Sequence, residues 1–256
     1  MLFIWAVGVE GSGHHMVFDV LFHKLKTKKY FMFESDGDGA LKELHQNLSK
    51  LFEYTSSSTD RLQARKNIDQ LLSTYSKMDT IEELLLFDRN SHPYLNPRDT
   101  LRRWDIIDFV DIVSKHAKPR LLVLLRNPLN ATFSCLRRGF TNNITLQAKI
   151  IEDNFICINS QLQTINDQRV FRILDYDDFF HDPKFYIERL SGWLKINEEV
   201  LDGREMIRKP KGIEDIPGDI REFLDQFFSD QRISQWSWLY QSKYNFSNEK
   251  TTKSTQ

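Results

Sequence analysis

Two short stretches hold residue types that could grip an anion. The first is "GVEGSGHH", residues 8–15, where Gly8, Gly11 and Gly13 let the backbone turn tightly and approach a ligand closely. Ser12 adds a hydroxyl, and His14 and His15 open the helical pattern that follows. Backbone N–H groups at a helix start form an anion site without any side chain. The second stretch is "RNPLNATFS", where Ser134 follows Arg126 by eight positions. A guanidinium offers paired, charge-assisted hydrogen bonds to a phosphate, and a hydroxyl adds one more donor. Either residue alone would pass for an ordinary surface side chain. Together they make a phosphate clamp.

The first loop raises a question of charge, because it contains no lysine or arginine. A GxxxxGK[ST] loop would need Lys where His14 stands and Ser or Thr where His15 stands. The glycines also miss the G-x-G-x-x-G spacing of a dinucleotide fold. An NTP kinase or GTPase loses much of its case.

A glycine-rich loop after the first strand, then an internal strand ending in R-N-P with Ser eight residues past the Arg, resembles the sulfotransferase family. The resemblance implies a P-loop NTPase-like α/β fold and the donor 3′-phosphoadenosine 5′-phosphosulfate. In that family the first loop grips the 5′-phosphosulfate, a role that falls here on Gly11, Ser12, Gly13, His14 and His15. The R-N-P arginine and its serine grip the 3′-phosphate, a role that falls on Arg126 and Ser134. "VFRILDYDDFFHDPKFYIERLSGWL" resembles the family's strand, Y-E-D turn and "DP" helix, and Tyr176 matches the position that approaches the adenine. "RKPKG" resembles a late basic segment that closes over the 3′-phosphate, through Arg208 and Lys209. The likeness covers four segments in unchanged order.

Sulfuryl transfer to an alcohol needs a base for the acceptor proton, and a positioned histidine contributes about 10²–10⁴-fold. The family resemblance points to His92, in "NSHPY" after the strand-like "ELLLF". Asp88, at the expected strand end, is the rival base, and Glu34 and Glu10 stay open as carboxylate alternatives. The chain departs from the family in having Gly11, preceded by acidic Glu10, where a Lys or Arg usually stands before the Ser-Gly pair. At about 4 Å and an effective dielectric near 20, such a charge pair is worth roughly 4 kcal/mol. His14 or His15 is expected to replace it, as imidazolium or as a neutral donor. The expected catalytic set is therefore His92, His14 and His15. Two other readings stay open: a nucleotide-binding pseudoenzyme without transfer activity, and a P-loop phosphotransferase.

These residues need a scaffold that brings strand ends together. Apolar runs predict strands at Leu2–Val9, Tyr30–Phe33, Glu83–Phe87, Arg120–Leu125 and Val170–Leu174. Helical periodicity predicts helices at His14–Lys26, Ala40–Tyr54, Asp60–Met78 (capped by Thr59 or Asp60), Trp104–His116, Leu129–Arg138 and Ile144–Ile165. Further helices are expected at Pro183–Leu194, Gly218–Phe228 and Gln231–Tyr240. Strands alternating with helices imply one α/β domain, a parallel sheet flanked by helices. The domain is expected over 1–248, with a polar tail at 249–256.

Composition narrows the partners. Lys+Arg 35 against Asp+Glu 36 is balanced, which argues against general nucleic-acid or membrane-surface binding. The two cysteines and seven histidines show no metal-ligand spacing, so no metal is expected. The first apolar run is too short to span a bilayer, for which about 20 residues are needed, and it lacks signal-peptide features. A cytoplasmic enzyme is the expectation, with a small-molecule or carbohydrate acceptor. Asn130-Ala-Thr132 fits a glycosylation sequon but lies in the expected ligand segment, and Trp236 and Trp238 could stack on sugars or fill the core.

Overall fold

The computed structural model describes residues 1–9, 11–13, 31–33, 41–52, 57–77, 85–92, 105–139, 141–167, 169–196 and 212–242. Its centre is β1, Leu2–Val9. An unbroken apolar run such as "LFIWAVGV" must be covered on both faces, and every residue of it after Leu2 is buried. Around it lie β2 (Phe31–Phe33), β3 (Leu85–His92), β4 (Lys118–Leu125) and β5 (Phe171–Asp175). The sheet runs β2-β3-β1-β4-β5, and all four pairings are parallel. β1 sits where the chain order reverses, and α/β sheets bind ligands beyond the carboxyl ends of the strands at that point.

Alternation along the strands sends side chains to opposite faces. Phe3, Trp5, Val7 and Val9 share one hydrophobic core with Leu121, Val123, Leu125, Phe171 and Ile173. Covering that face are helices α1 (Lys42–Phe52), α2 (Ser58–Ser76), α3 (Ile106–Val113), α4 (Pro128–Arg137) and α5 (Ile144–Ile165). Phe109 of α3 packs edge-on against Phe3, with ring centroids 5.1 Å apart. On the other face Arg120 and Arg172 lie over the ring of Trp193, in α7 (Pro183–Leu194), which follows the short α6 (Tyr176–His181). The chain then forms α8 (Gly218–Phe227), α9 (Asp230–Ile233) and α10 (Ser237–Ser242).

The expected α/β domain with a parallel sheet is what forms, and helices Ile144–Ile165 and Pro183–Leu194 carry the expected bounds. Several boundaries move. The cap of α2 is Ser57, whose hydroxyl accepts from the Asp60 N–H at 3.1 Å while Asp60 accepts from the Ser57 N–H at 3.1 Å. This reciprocal pair makes Asp60 the third residue of the first turn rather than the cap. β3 runs to His92 instead of stopping at Phe87, because the parallel ladder with β1 continues through "DRNSH" despite its polarity.

The expected helix Gln231–Tyr240 breaks into α9, a 3₁₀ turn at Ser234–Trp236, and α10. The Ser234 and Ser237 hydroxyls bond back to the Gln231 and Ser234 carbonyls there, competing with the helical ladder. Helix α6 was not expected. Asp175 starts it by accepting the Asp177 N–H at 3.0 Å and the Asp178 N–H at 3.3 Å. The expected helix at His14–Lys26 and the tail 249–256 lie outside the described residues.

Candidate functional site

The carboxyl ends of β1, β4 and β5 hold the expected anion-binding residues. After Val9 the chain turns at Gly11 and Gly13, whose φ angles are +86° and +88°. The Ser12 N–H closes the turn on the Val9 carbonyl at 3.1 Å. This left-handed backbone suits glycine, and space demands it as well. A Cβ on Gly11 would stand 2.9 Å from the Ala131 carbonyl oxygen and 3.2 Å from Ser134 Cβ. One on Gly13 would collide with the Tyr176 ring. The loop therefore lies directly against Ser134 and Tyr176.

Arg126 follows the last residue of β4, and Asn127 caps α4 by accepting the Leu129 N–H at 2.9 Å, with Pro128 in the first turn as expected. The Arg126 guanidinium donates through Nη1 to the Gly11 carbonyl at 2.9 Å. Its Cζ lies over the Tyr176 ring, 4.8 Å from the centroid, an arrangement that holds a cation on an aromatic quadrupole. Its Nε stands 3.6 Å from Asp177 Oδ1, and the other oxygen of Asp177 accepts the Asn127 N–H at 3.3 Å. From behind, the Tyr240 hydroxyl donates to the Arg126 carbonyl at 3.0 Å. Arg126 and Ser134 are each only 7% exposed, so both side chains are built into the body of the protein.

Electrostatics set the protonation states. Burial pushes the Tyr176 phenol above its ordinary range, while the charge of Arg126 pulls the other way. Burial pushes Tyr240 well above it, with Asp175 and Asp177 adding to the shift. Both phenols stay neutral near pH 7, and Tyr240 remains the donor its geometry requires.

Five residues fit a phosphate-bearing ligand. Gly11 and Gly13 let the loop pack closely on Ser134 and Tyr176, and Arg126 and Ser134 bring a cation and a hydroxyl beside it. The hydroxyl of Ser12, only 1% exposed, has no hydrogen-bond partner among the described residues. Such an orphan is uncommon in native structures, and a phosphate oxygen would complete it. Beside Arg126 lies a cavity of about 310 Å³ walled by Asn127, Asn130, Asp177, His181, Gly212 and Glu214 among others.

Gly11, Ser12, Gly13, Arg126, Ser134 and Tyr176 thus converge. His92 is the last residue of β3, not a loop residue, and its backbone pairs in register with Val9 at the mouth of the loop. Asp88 is interior to that strand, paired with Trp5, and not at a strand end. His14, His15, Glu10, Glu34, Arg208 and Lys209 lie outside the described residues. The sequence reading missed the contacts of Asp177, Asn127 and Tyr240. Asp177 was legible only as part of the "DYDD" segment, and nothing in the sequence ties Tyr240 to Arg126. The sequon fails on burial, since Asn130 and Thr132 are 6% and 0% exposed. Trp236 is a core residue, its ring tilted against Phe155 and edge-on to Phe228.

No protein-family model and no curated protein matches the sequence. Among solved structures, the chain is similar to a sulfotransferase from Alicyclobacillus acidocaldarius, with a TM-score of 0.52, 12% identity, and coverage of 94% of this chain and 96% of that one. The chain has a sulfotransferase-like fold. The likeness extends, at lower scores, to the sulfotransferase domain of the Synechococcus PCC 7002 olefin synthase (TM-score 0.45, 15% identity, 90% and 95% covered). It also extends to mouse SULT7A1 complexed with PAP (TM-score 0.45, 11% identity, 96% and 85% covered). Within this sulfotransferase-like fold, no group of three or more His, Cys, Asp or Glu that could hold a metal occurs among the described residues. No helix among them is long and apolar enough to cross a membrane.

Proposed function

We propose that the chain is a cytoplasmic sulfotransferase that moves a sulfuryl group from 3′-phosphoadenosine 5′-phosphosulfate to a hydroxyl of a carbohydrate or small molecule, through a domain spanning 1–248. The observation that carries this reading is the bond from Arg126 to the Gly11 carbonyl, which ties the strand-end clamp and the glycine loop into one anion-binding unit. Arg126 and Ser134 take the 3′-phosphate. The backbone of Gly11, Ser12 and Gly13, with the Ser12 hydroxyl, takes the phosphosulfate end. Tyr176 flanks the nucleotide, and Arg208 and Lys209 close over it. His92 is the base for the acceptor hydroxyl, and His14 or His15 supplies the cation that the loop otherwise lacks.

Calorimetry tests the nucleotide. Adenosine 3′,5′-bisphosphate should bind far better than AMP, and Arg126→Ala should cost tenfold or more in bisphosphate affinity, since charged hydrogen bonds contribute about 1.5–3 kcal/mol each. Equal binding of AMP and the bisphosphate by the wild type would sink the reading. A second reading, a nucleotide binder without transfer, is favoured by the absence of Lys and Arg from residues 8–15. Tight bisphosphate binding with no sulfuryl transfer to any of a panel of hydroxyl acceptors would select it.

A further inference from the structure

Arg126 sits in a setting that tempers its charge. Its Nε is 3.6 Å from a carboxylate oxygen of Asp177, whose side chain is only 27% exposed. The same carboxylate accepts the N–H of Asn127, so it is fixed by a backbone bond on one side and faces the guanidinium on the other. Asp175 caps α6 through the Asp177 and Asp178 N–H groups and so fixes the backbone that presents Asp177. The ring of Tyr176, next in the chain, lies under the Cζ of the same guanidinium.

Any phosphate that meets Arg126 therefore meets it in the field of a fixed negative charge. Two anions sharing one cation in a partly desolvated site repel each other. We propose that Asp177 is a positioning and affinity-setting residue. It holds the edge of Arg126 in place and keeps the grip on a 3′-phosphate weak enough for the product nucleotide to leave. This rests on the reading of Arg126 as the 3′-phosphate clamp. In many enzymes departure of product limits turnover, and a carboxylate beside the clamp loosens the product without removing the cation.

The sign of the effect separates this role from a merely structural one. If Asp177 only braced Arg126, neutralising it would weaken nucleotide binding. If it tempers the clamp, neutralising it strengthens binding, and only for a ligand that carries a 3′-phosphate. Asp177→Asn keeps an oxygen for the Asn127 N–H and removes the charge. Asp177→Ser, with a hydroxyl and no charge, serves if the first variant folds poorly.

Titration calorimetry of the full chain with adenosine 3′,5′-bisphosphate and with AMP reads the result. The expected outcome is about tenfold tighter binding of the bisphosphate, with slower dissociation by stopped flow and no change for AMP. In an Arg126→Ala background, Asp177→Asn should no longer favour the bisphosphate. Unchanged or weaker bisphosphate binding in both single variants would overturn the proposal, as would an equal tightening of AMP. A wild type that binds AMP and the bisphosphate equally refutes the clamp itself, and the role of Asp177 falls with it.

Discussion

A methyl group at position 13 would run into the ring of Tyr176, and the φ of +88° already disfavours any side chain there. The left-handed backbone alone costs an alanine about 1–2 kcal/mol, and displacing the ring would disturb the face on which Arg126 rests. Gly13→Ala is expected to lower stability in urea by that amount or more and to weaken bisphosphate binding at least several-fold. Wild-type values in both measurements would mean the loop and ring do not depend on each other. Arg126 and Ser134 were legible in the sequence because a strand end fixes one and helical spacing places the other. The packing of Gly13 on Tyr176 was not, because the two residues meet only when the ends of β1 and β5 come together.

At the scale of elements, the apolar strands could be read from composition, whereas the second half of β3 could not. "DRNSH" is polar and reads as loop, yet it continues the ladder with β1 residue by residue, from Trp5↔Asp88 to Val9↔His92. Backbone pairing decided the matter, since β propensity depends on neighbours more than on the residue itself. One consequence is that His92 ends its strand level with the last residue of β1, at the carboxyl edge where the glycine loop begins. That register supports its proposed role as base. His92→Ala is expected to leave bisphosphate affinity unchanged and to cut turnover by about 10²–10⁴-fold. Unimpaired turnover would pass the role to another group, with Asp88 disfavoured by its interior place in the strand.

Across the whole molecule, the site depends on a helix far away in sequence. Tyr240 of α10 reaches the Arg126 carbonyl, and its ring packs edge-on against Phe155 of α5, with centroids 6.3 Å apart. Through Tyr240, α10 therefore braces the backbone at Arg126. No single-sequence pattern reveals such a contact, because the hydroxyl finds its partner only through the packing of α5 against the sheet. Tyr240→Phe keeps the packing and removes the hydroxyl that donates to the Arg126 carbonyl, at an expected cost of about 1 kcal/mol in denaturant unfolding. If Arg126 holds the 3′-phosphate as proposed, the affinity ratio of bisphosphate to AMP should fall roughly threefold or more, because the 3′-phosphate meets the displaced guanidinium directly whereas the loop meets it only through the Gly11 carbonyl. A stability loss with an unchanged ratio would confine Tyr240 to the fold.

The central place of β1 carries a cost during synthesis. The strand leaves the ribosome well before both of its partners, β3 and β4, which come much later in the chain. At roughly 5–20 residues per second, the interval before β4 emerges is on the order of 10 s. Until β3 emerges "LFIWAVGV" is an apolar segment with both edges bare, and until β4 emerges one edge stays bare, the kind of sequence that pairs with other chains. The central strand of the sheet is thus also a part of the newborn chain in need of shielding.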